Sequence, residues 1–199
     1  HIHGSWKVQL NDRALLLQQV NTRVFPDPHA LASNLQRVTR RLRDAFRGGP
    51  YRTLTPIPAL QGGLLAESED ESEDAWWRAF EFLDGLRAHT QPTSTAMVAE
   101  AGRAFAAFSH ALRGLTPSEL AIPIPGFHSL SLRRRQLLEA ARRTRLDLRR
   151  APEPARLLEL AEALTKQLLP LEQAAIDGAL PTRIVHNDAK LDNLLFDAA

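Results

Sequence analysis

Arg183-Ile184-Val185-His186-Asn187-Asp188-Ala189-Lys190-Leu191-Asp192-Asn193-Leu194-Leu195-Phe196-Asp197 is the stretch that decides how this chain is read. Its polar residues follow H-x-D-x-K-x-x-N, from His186 through Asp188 and Lys190 to Asn193, with an apolar run on each side. Short apolar runs of this kind read as strands. The pattern therefore predicts a loop over 186–193, anchored by short strands at Ile184-Val185 and Leu194-Leu195-Phe196. Such a loop can curl so that Asp188 and Asn193, five residues apart, face one pocket.

Those residue types at that spacing suit phosphoryl transfer. The reaction needs a carboxylate that takes or orients the proton of the attacking hydroxyl. It also needs oxygen ligands that hold Mg²⁺ on the phosphates of ATP. Asp188 is placed for the first task and Asn193 for the second. Lys190 lies between them and can neutralise charge on the transferred group. His186 is expected to brace the loop from within. A plain turn with incidental polar residues is the bland alternative. Four residue types at four fixed offsets, in strand–loop–strand context, count against it.

The motif is the catalytic-loop pattern of kinases. Small-molecule kinases of the aminoglycoside-phosphotransferase-like group carry H-G-D-x-x-x-x-N, and this chain has Asn187 at the glycine position and Lys190 inside the motif. In that form the stretch from His186 to Asp197 resembles the N-acetylhexosamine 1-kinase-like branch. Three further stretches resemble the same branch, in the same order: Leu16-Leu17-Gln18-Gln19-Val20-Asn21-Thr22-Arg23-Val24-Phe25, then Trp77-Arg78 with Phe82-Leu83-Asp84-Gly85, then Ile124-Pro125-Gly126-Phe127-His128. The resemblance implies an α+β, protein-kinase-like two-lobe fold. A small antiparallel-sheet N-lobe would occupy residues 1–83 and a helical C-lobe residues 84–199. It further implies ATP and Mg²⁺ as co-substrate and metal, with Phe82, Leu83 and Asp84 along the adenine edge and Phe127-His128 beside the acceptor.

Departures from the kinase pattern are as informative as the matches. Kinases usually place a lysine on the third strand to contact the α- and β-phosphates. Here that strand reads Leu17-Gln18-Gln19-Val20 and has none. Gln18 stands nearest that position and can donate hydrogen bonds to phosphate but carries no charge. The helix after Pro28 lacks the glutamate that would pair with such a lysine, and no glycine-rich phosphate loop is visible. The second metal carboxylate, in a D-x-D or D-F-G-like segment, is not found after Asp197. The chain is thus expected to be incomplete at both ends.

Composition sets the outer bounds. The 199 residues suit one or two small domains, and 44% hydrophobic content is that of a globular protein. Formal net charge is +2, with Lys7, Lys166 and Lys190 the only lysines. Cysteine is absent, which removes disulfides and thiolate metal sites and fits a cytoplasmic location. No apolar run is long enough to span a membrane. Arg133-Arg134-Arg135, Arg142-Arg143 and Arg149-Arg150 could mark a nucleic-acid footprint. Interspersed acids make a solvated face the preferred reading, so a small-molecule acceptor is expected, with no nucleic acid and no membrane.

Along the chain, Trp6-Lys7-Val8-Gln9-Leu10 alternates, Asn11-Asp12 signals a turn and Ala14 to Val20 is apolar, so a hairpin is expected. Asp27-Pro28 reads as a helix cap and first turn, and that helix should end near Phe46. Leu60 to Ala66 is expected to form a strand, and the acidic run from Glu67 to Asp74 a loop tip. Ala75 to Leu83 is ambiguous by pattern; the resemblance favours a strand leading to a hinge. Helices are expected over Thr95 to Leu115, Leu130 to Arg150 and Leu157 to Ile176, with Pro152-Glu153-Pro154 as a break. The favoured function is a kinase that phosphorylates a sugar hydroxyl. Aminoglycoside or choline-type acceptors are the alternative within the enzyme class. A non-catalytic nucleotide-binding module is the alternative outside it.

Overall fold

The computed structural model describes residues 2–68, 75–144 and 152–197. The fold is α+β, with one five-stranded antiparallel sheet and four α-helices among these residues. The chain divides into two compact units, residues 1–124 with 183–199, and residues 125–182.

The first unit is built on the sheet. Strand β1 (Gly4–Gln9) and strand β2 (Ala14–Gln19) form the expected hairpin, closed by Leu10 N donating to Arg13 O at 2.8 Å. Helix α1 (Pro28–Phe46) follows. Short strands β3 (Pro56–Ile57) and β4 (Ala66–Glu67) and the longer β5 (Trp76–Glu81) complete the sheet in the order β1-β2-β5-β3, with β4 also pairing β5. Because strand side chains alternate between faces, Ser5, Lys7, Leu16, Gln18, Arg78 and Phe80 share one face. Phe80 is buried there, and His29 of α1 meets Trp76 edge-on at 4.6 Å on the same face.

Local signals set the start of α1. Asp27 caps it, accepting from Ala30 N at 2.8 Å, and Pro28 sits in the first turn, where its missing N–H costs nothing. Helix α2 (Thr95–Ala111) is capped by Ser94 and packs against α1. Asn34 of α1 clasps Ala121 through both its amide atoms, at 2.8 and 2.9 Å. Helix α2 ends short of the expected Leu115, with Leu112, 1% exposed, as its C-cap.

Helix α3 (Leu130–Arg143) and helix α4 (Pro152–Ile176) form the second unit. Arg134 Nε lies 2.9 Å from Glu162 Oε1, and Glu172 accepts from Ser129 Oγ and Ser131 N at 2.8 and 3.0 Å. Both contacts tie α4 to the beginning and middle of α3.

The structure corrects further expectations. The strand over Leu60 to Ala66 shrinks to Ala66–Glu67, because Ala59 to Gly63 closes into a turn with Gly62 and Gly63 at positive φ. The expected break between the two helices is present, but Pro152 and Pro154 belong to the first turn of α4, where proline is tolerated, and α3 ends at Arg143 rather than Arg150. Ile184-Val185 forms no strand and pairs with none of the strands among the described residues. Of the second anchoring strand only Phe196 pairs, in an isolated bridge with Arg87. The ambiguous segment from Ala75 is a strand, β5. Most of the acidic run, residues 69–74, and Arg149-Arg150 lie outside the described residues.

Candidate active site

The loop expected over 186–193 is present, and it is not helical at Asp188. It enters in extended chain and closes in a single 3-10 turn, Leu191–Asn193. Two backbone bonds between Arg87 and Phe196, both 2.8 Å, fasten its far end to the segment that follows β5.

Within the loop the motif residues converge. Asn193 Nδ2 donates to Asp188 Oδ2 at 2.8 Å and to the Asp188 carbonyl at 2.7 Å. Lys190 Nζ lies 3.3 Å from the same Oδ2. Asp188 and Lys190 are both half-exposed and open to solvent. The Asn193 hydrogen bond, helped by Lys190, holds the Asp188 carboxyl below its ordinary value of 3.8. Asp188 is thus an ionised base throughout the physiological range.

His186 is two residues away, and among the described residues it makes no side-chain hydrogen bond to Asp188. Its ring meets Phe105 and Phe108 of α2 edge-on, each at 5.4 Å. Phe105 and Phe108 are three residues apart and so lie on one helix face. The bracing expected of His186 is therefore aromatic packing against α2. Both phenylalanines lie far from the loop in sequence, and nothing local marks them as its partners.

Asn187 has φ 63°, the one non-glycine residue with positive φ among the described residues. The left-handed region costs most L-residues ~1–2 kcal/mol, and Asn and Gly tolerate it best. That explains a glycine at this position in the kinase motif and an asparagine here. Asn187→Val is expected to destabilise the protein by ~1–2 kcal/mol, whereas Asn187→Gly leaves stability nearly unchanged. Urea unfolding of both variants checks this; equal stability of Val and Gly would show that the conformation is not required.

The residues expected at the nucleotide split into two groups on the sheet. Phe82, Leu83 and Asp84 follow β5 directly, and Gly85, at φ 78°, makes the turn beyond them. Lys7 of β1 reaches across, with Nζ 2.8 Å from Asp84 Oδ1 and 4.2 Å from the Phe82 ring centroid. Lys7 was not anticipated as part of this region, since only strand register brings β1 beside the segment after β5. Gln18 on β2 points to the same face. Its Nε2 donates to Ser5 Oγ at 3.0 Å, and its Oε1 accepts from Arg78 Nε at 3.1 Å.

Phe127 and His128 lie in the second unit, and the loop over 186–193 in the first. Their rings meet edge-on at 4.6 Å, after Gly126 at φ 64°. Arg133 clamps the Phe127 carbonyl with two donors, at 3.1 and 2.9 Å. Phe127 is 45% exposed.

The metal implied by the resemblance can be tested against these residues. Mg²⁺ takes oxygen ligands, keeps several waters and uses only one or two protein groups beside substrate phosphates. Asn193 commits its nitrogen to Asp188, which leaves Oδ1 as the ligand atom, and the Asp188 carboxylate lies alongside. That donor set fits the ion. A family model described as the phosphotransferase enzyme family matches residues 5–199. The match covers nearly the whole chain, so the chain belongs to that family.

Proposed function

We propose that this member of the phosphotransferase enzyme family moves the γ-phosphoryl group of ATP to a hydroxyl of a small molecule, with a sugar as acceptor. The observation that carries this reading is the convergence of Asn193 and Lys190 on one oxygen of Asp188, at 2.8 and 3.3 Å. That arrangement holds a carboxylate ionised, oriented and open to solvent.

The chemistry follows from those atoms. Asp188 accepts the proton of the acceptor hydroxyl as its oxygen bonds to the γ-phosphorus. The bond from phosphorus to the β,γ-bridging oxygen breaks, and ADP leaves with that electron pair. Lys190, drawn toward the transferred group, offsets charge on its equatorial oxygens. Mg²⁺, when bound through Asn193 Oδ1, supplies charge neutralisation on the phosphates. Phe82, Leu83 and Asp84 offer the adenine an apolar edge and backbone donors and acceptors. His186 keeps the loop seated on α2.

The resemblance to the N-acetylhexosamine 1-kinase-like branch supports a sugar acceptor, with the anomeric hydroxyl of an N-acetylhexosamine as the specific candidate. Aminoglycosides and choline-type amino alcohols belong to the same broad chemistry. Incubation with ATP, Mg²⁺ and each acceptor class, followed by ³¹P NMR, distinguishes them. A new sugar-phosphate resonance with matching ADP is the expected result. Transfer to amino alcohols alone would replace the sugar reading. Nucleotide binding with no transfer to any acceptor would favour a binding module.

A further inference from the structure

Ser5 on β1, Gln18 on β2 and Arg78 on β5 stand directly opposite one another across three strands. The row is fully ordered by its hydrogen bonds. Gln18 donates one N–H to Ser5 and accepts from Arg78, at 3.0 and 3.1 Å. In this arrangement Gln18 Oε1 positions the guanidinium.

Arg78 is the unusual member. Its side chain is largely covered by the sheet and by Phe80, whose ring centroid lies 5.3 Å away. Among the described residues no carboxylate pairs with it. A desolvated charge without a counter-ion is costly to keep. Burial lowers its pKa to about 10, so it stays protonated at neutral pH. The neighbouring His3 offers no negative charge. Burial first, and Arg78 second, lower His3 to about 4, and its Nδ1 accepts from Asn21 N at 3.2 Å. Two cations stand on the strands of this sheet. Lys7 is already spent on Asp84 at 2.8 Å, which leaves Arg78.

Its place on the fold says what kind of anion it meets. Arg78 shares the sheet face that carries Lys7 and Phe80, four residues before Phe82 on the same chain. That is roughly 13 Å of strand at ~3.3 Å per residue. The guanidinium fork matches phosphate oxygens in two parallel hydrogen bonds, which a lysine cannot do. We propose that Arg78 is a phosphate-binding residue for the nucleotide, held in place by Gln18 and contacting the α- or β-phosphate. The strand position where a lysine is missing thus has a cation directly across from it. This inference rests on the nucleotide reading proposed above.

The test measures the affinity of the whole protein for ADP and for adenosine by calorimetry. In Arg78→Gln, ADP affinity is expected to fall ~10- to 100-fold, the range for a lost hydrogen bond to a charged group, while adenosine affinity is unchanged. Adding Gln18→Lys to Arg78→Gln is expected to restore part of the ADP affinity, because it returns the charge, though not the fork, to the same row. Unchanged ADP affinity in Arg78→Gln, or equal losses for ADP and adenosine, overturns the proposal. Should Arg78→Gln not fold, Arg78→Lys gives the same reading. It keeps the charge but loses the fork, so ADP weakens and adenosine does not; unchanged ADP affinity overturns the proposal there too. A wild-type protein that binds neither ligand would refute the nucleotide reading itself. ADP binding by the wild type with an indifferent Arg78 sinks the Arg78 assignment alone.

Discussion

Asp188→Asn is expected to lower kcat by ~10²–10⁴-fold, the usual contribution of a well-placed general base. The carboxamide keeps the size of the side chain but cannot take the acceptor's proton. The loop should hold its shape, because Asn193 Nδ2 also donates to the Asp188 carbonyl at 2.7 Å, and the new amide oxygen can still accept from it. Asp188 is exposed, so folding stability and ADP affinity should stay close to wild type. A variant that turns over its acceptor at near wild-type rate would remove Asp188 from the mechanism. The pH dependence adds a sign. The Asn193 hydrogen bond, then Lys190, depress the Asp188 pKa, and the ionised form is the competent base. Its activity therefore persists as pH falls to the ordinary carboxylate range, and is lost only on passing through the depressed pKa. The small stability this carboxylate contributes follows the same course: present above 3.8 and lost as pH falls through the folded value. Removing the donor, as in Asn193→Ala, should move the Asp188 titration, followed by carboxyl ¹³C NMR, to higher pH. An unmoved titration would mean that Asn193 does not hold the base.

Phe80→Ala should produce the largest loss of stability. Phe80 is 2% exposed, on the strand that pairs with β2, β3 and β4, opposite Leu16 on one side and Pro56 on the other. Truncating a buried phenylalanine removes its transfer free energy and leaves a cavity, ~3–5 kcal/mol together. That is a large share of the ~5–15 kcal/mol that holds a domain folded. For a chain of this size it corresponds to a Tm lower by ~6–20 °C. Phe80→Leu, which refills most of the space, should cost much less. Denaturant unfolding with an unchanged m-value reads the difference directly. An Ala variant within ~1 kcal/mol of wild type would show that this face is not the core.

Much of the loop over 186–193 was legible because its information is local. Asp188, Lys190 and Asn193 lie within one turn of chain, so their spacing alone forces them together once the loop curls. The positive φ of Asn187 belongs to the same short-range logic, since only a few residue types accept it. The packing of His186 on Phe105 and Phe108 was not legible. It joins residues far apart in sequence, and an apolar stripe at helical spacing looks the same whether it meets a histidine or another helix.

The sheet divides in the same way. Alternation in Trp6 to Leu10, the turn at Asn11-Asp12 and the Asp27 cap before Pro28 determined the hairpin and the start of α1, because each is decided by neighbours a few residues away. Two apolar runs of similar composition met different ends. Phe196 pairs with the backbone of Arg87, while Ile184-Val185 is in no strand among the described residues. Strand formation depends on a partner that the run itself does not encode. Register is a matter of tertiary structure too. It set Gln18 opposite Arg78 and brought Lys7 to Asp84, and a slip of one residue would have turned each side chain to the other face. The sequence by itself determined which residues can carry the chemistry of the loop. Only long-range pairing, which must close large stretches of chain before any contact forms, decided which cation the sheet holds beside Gln18.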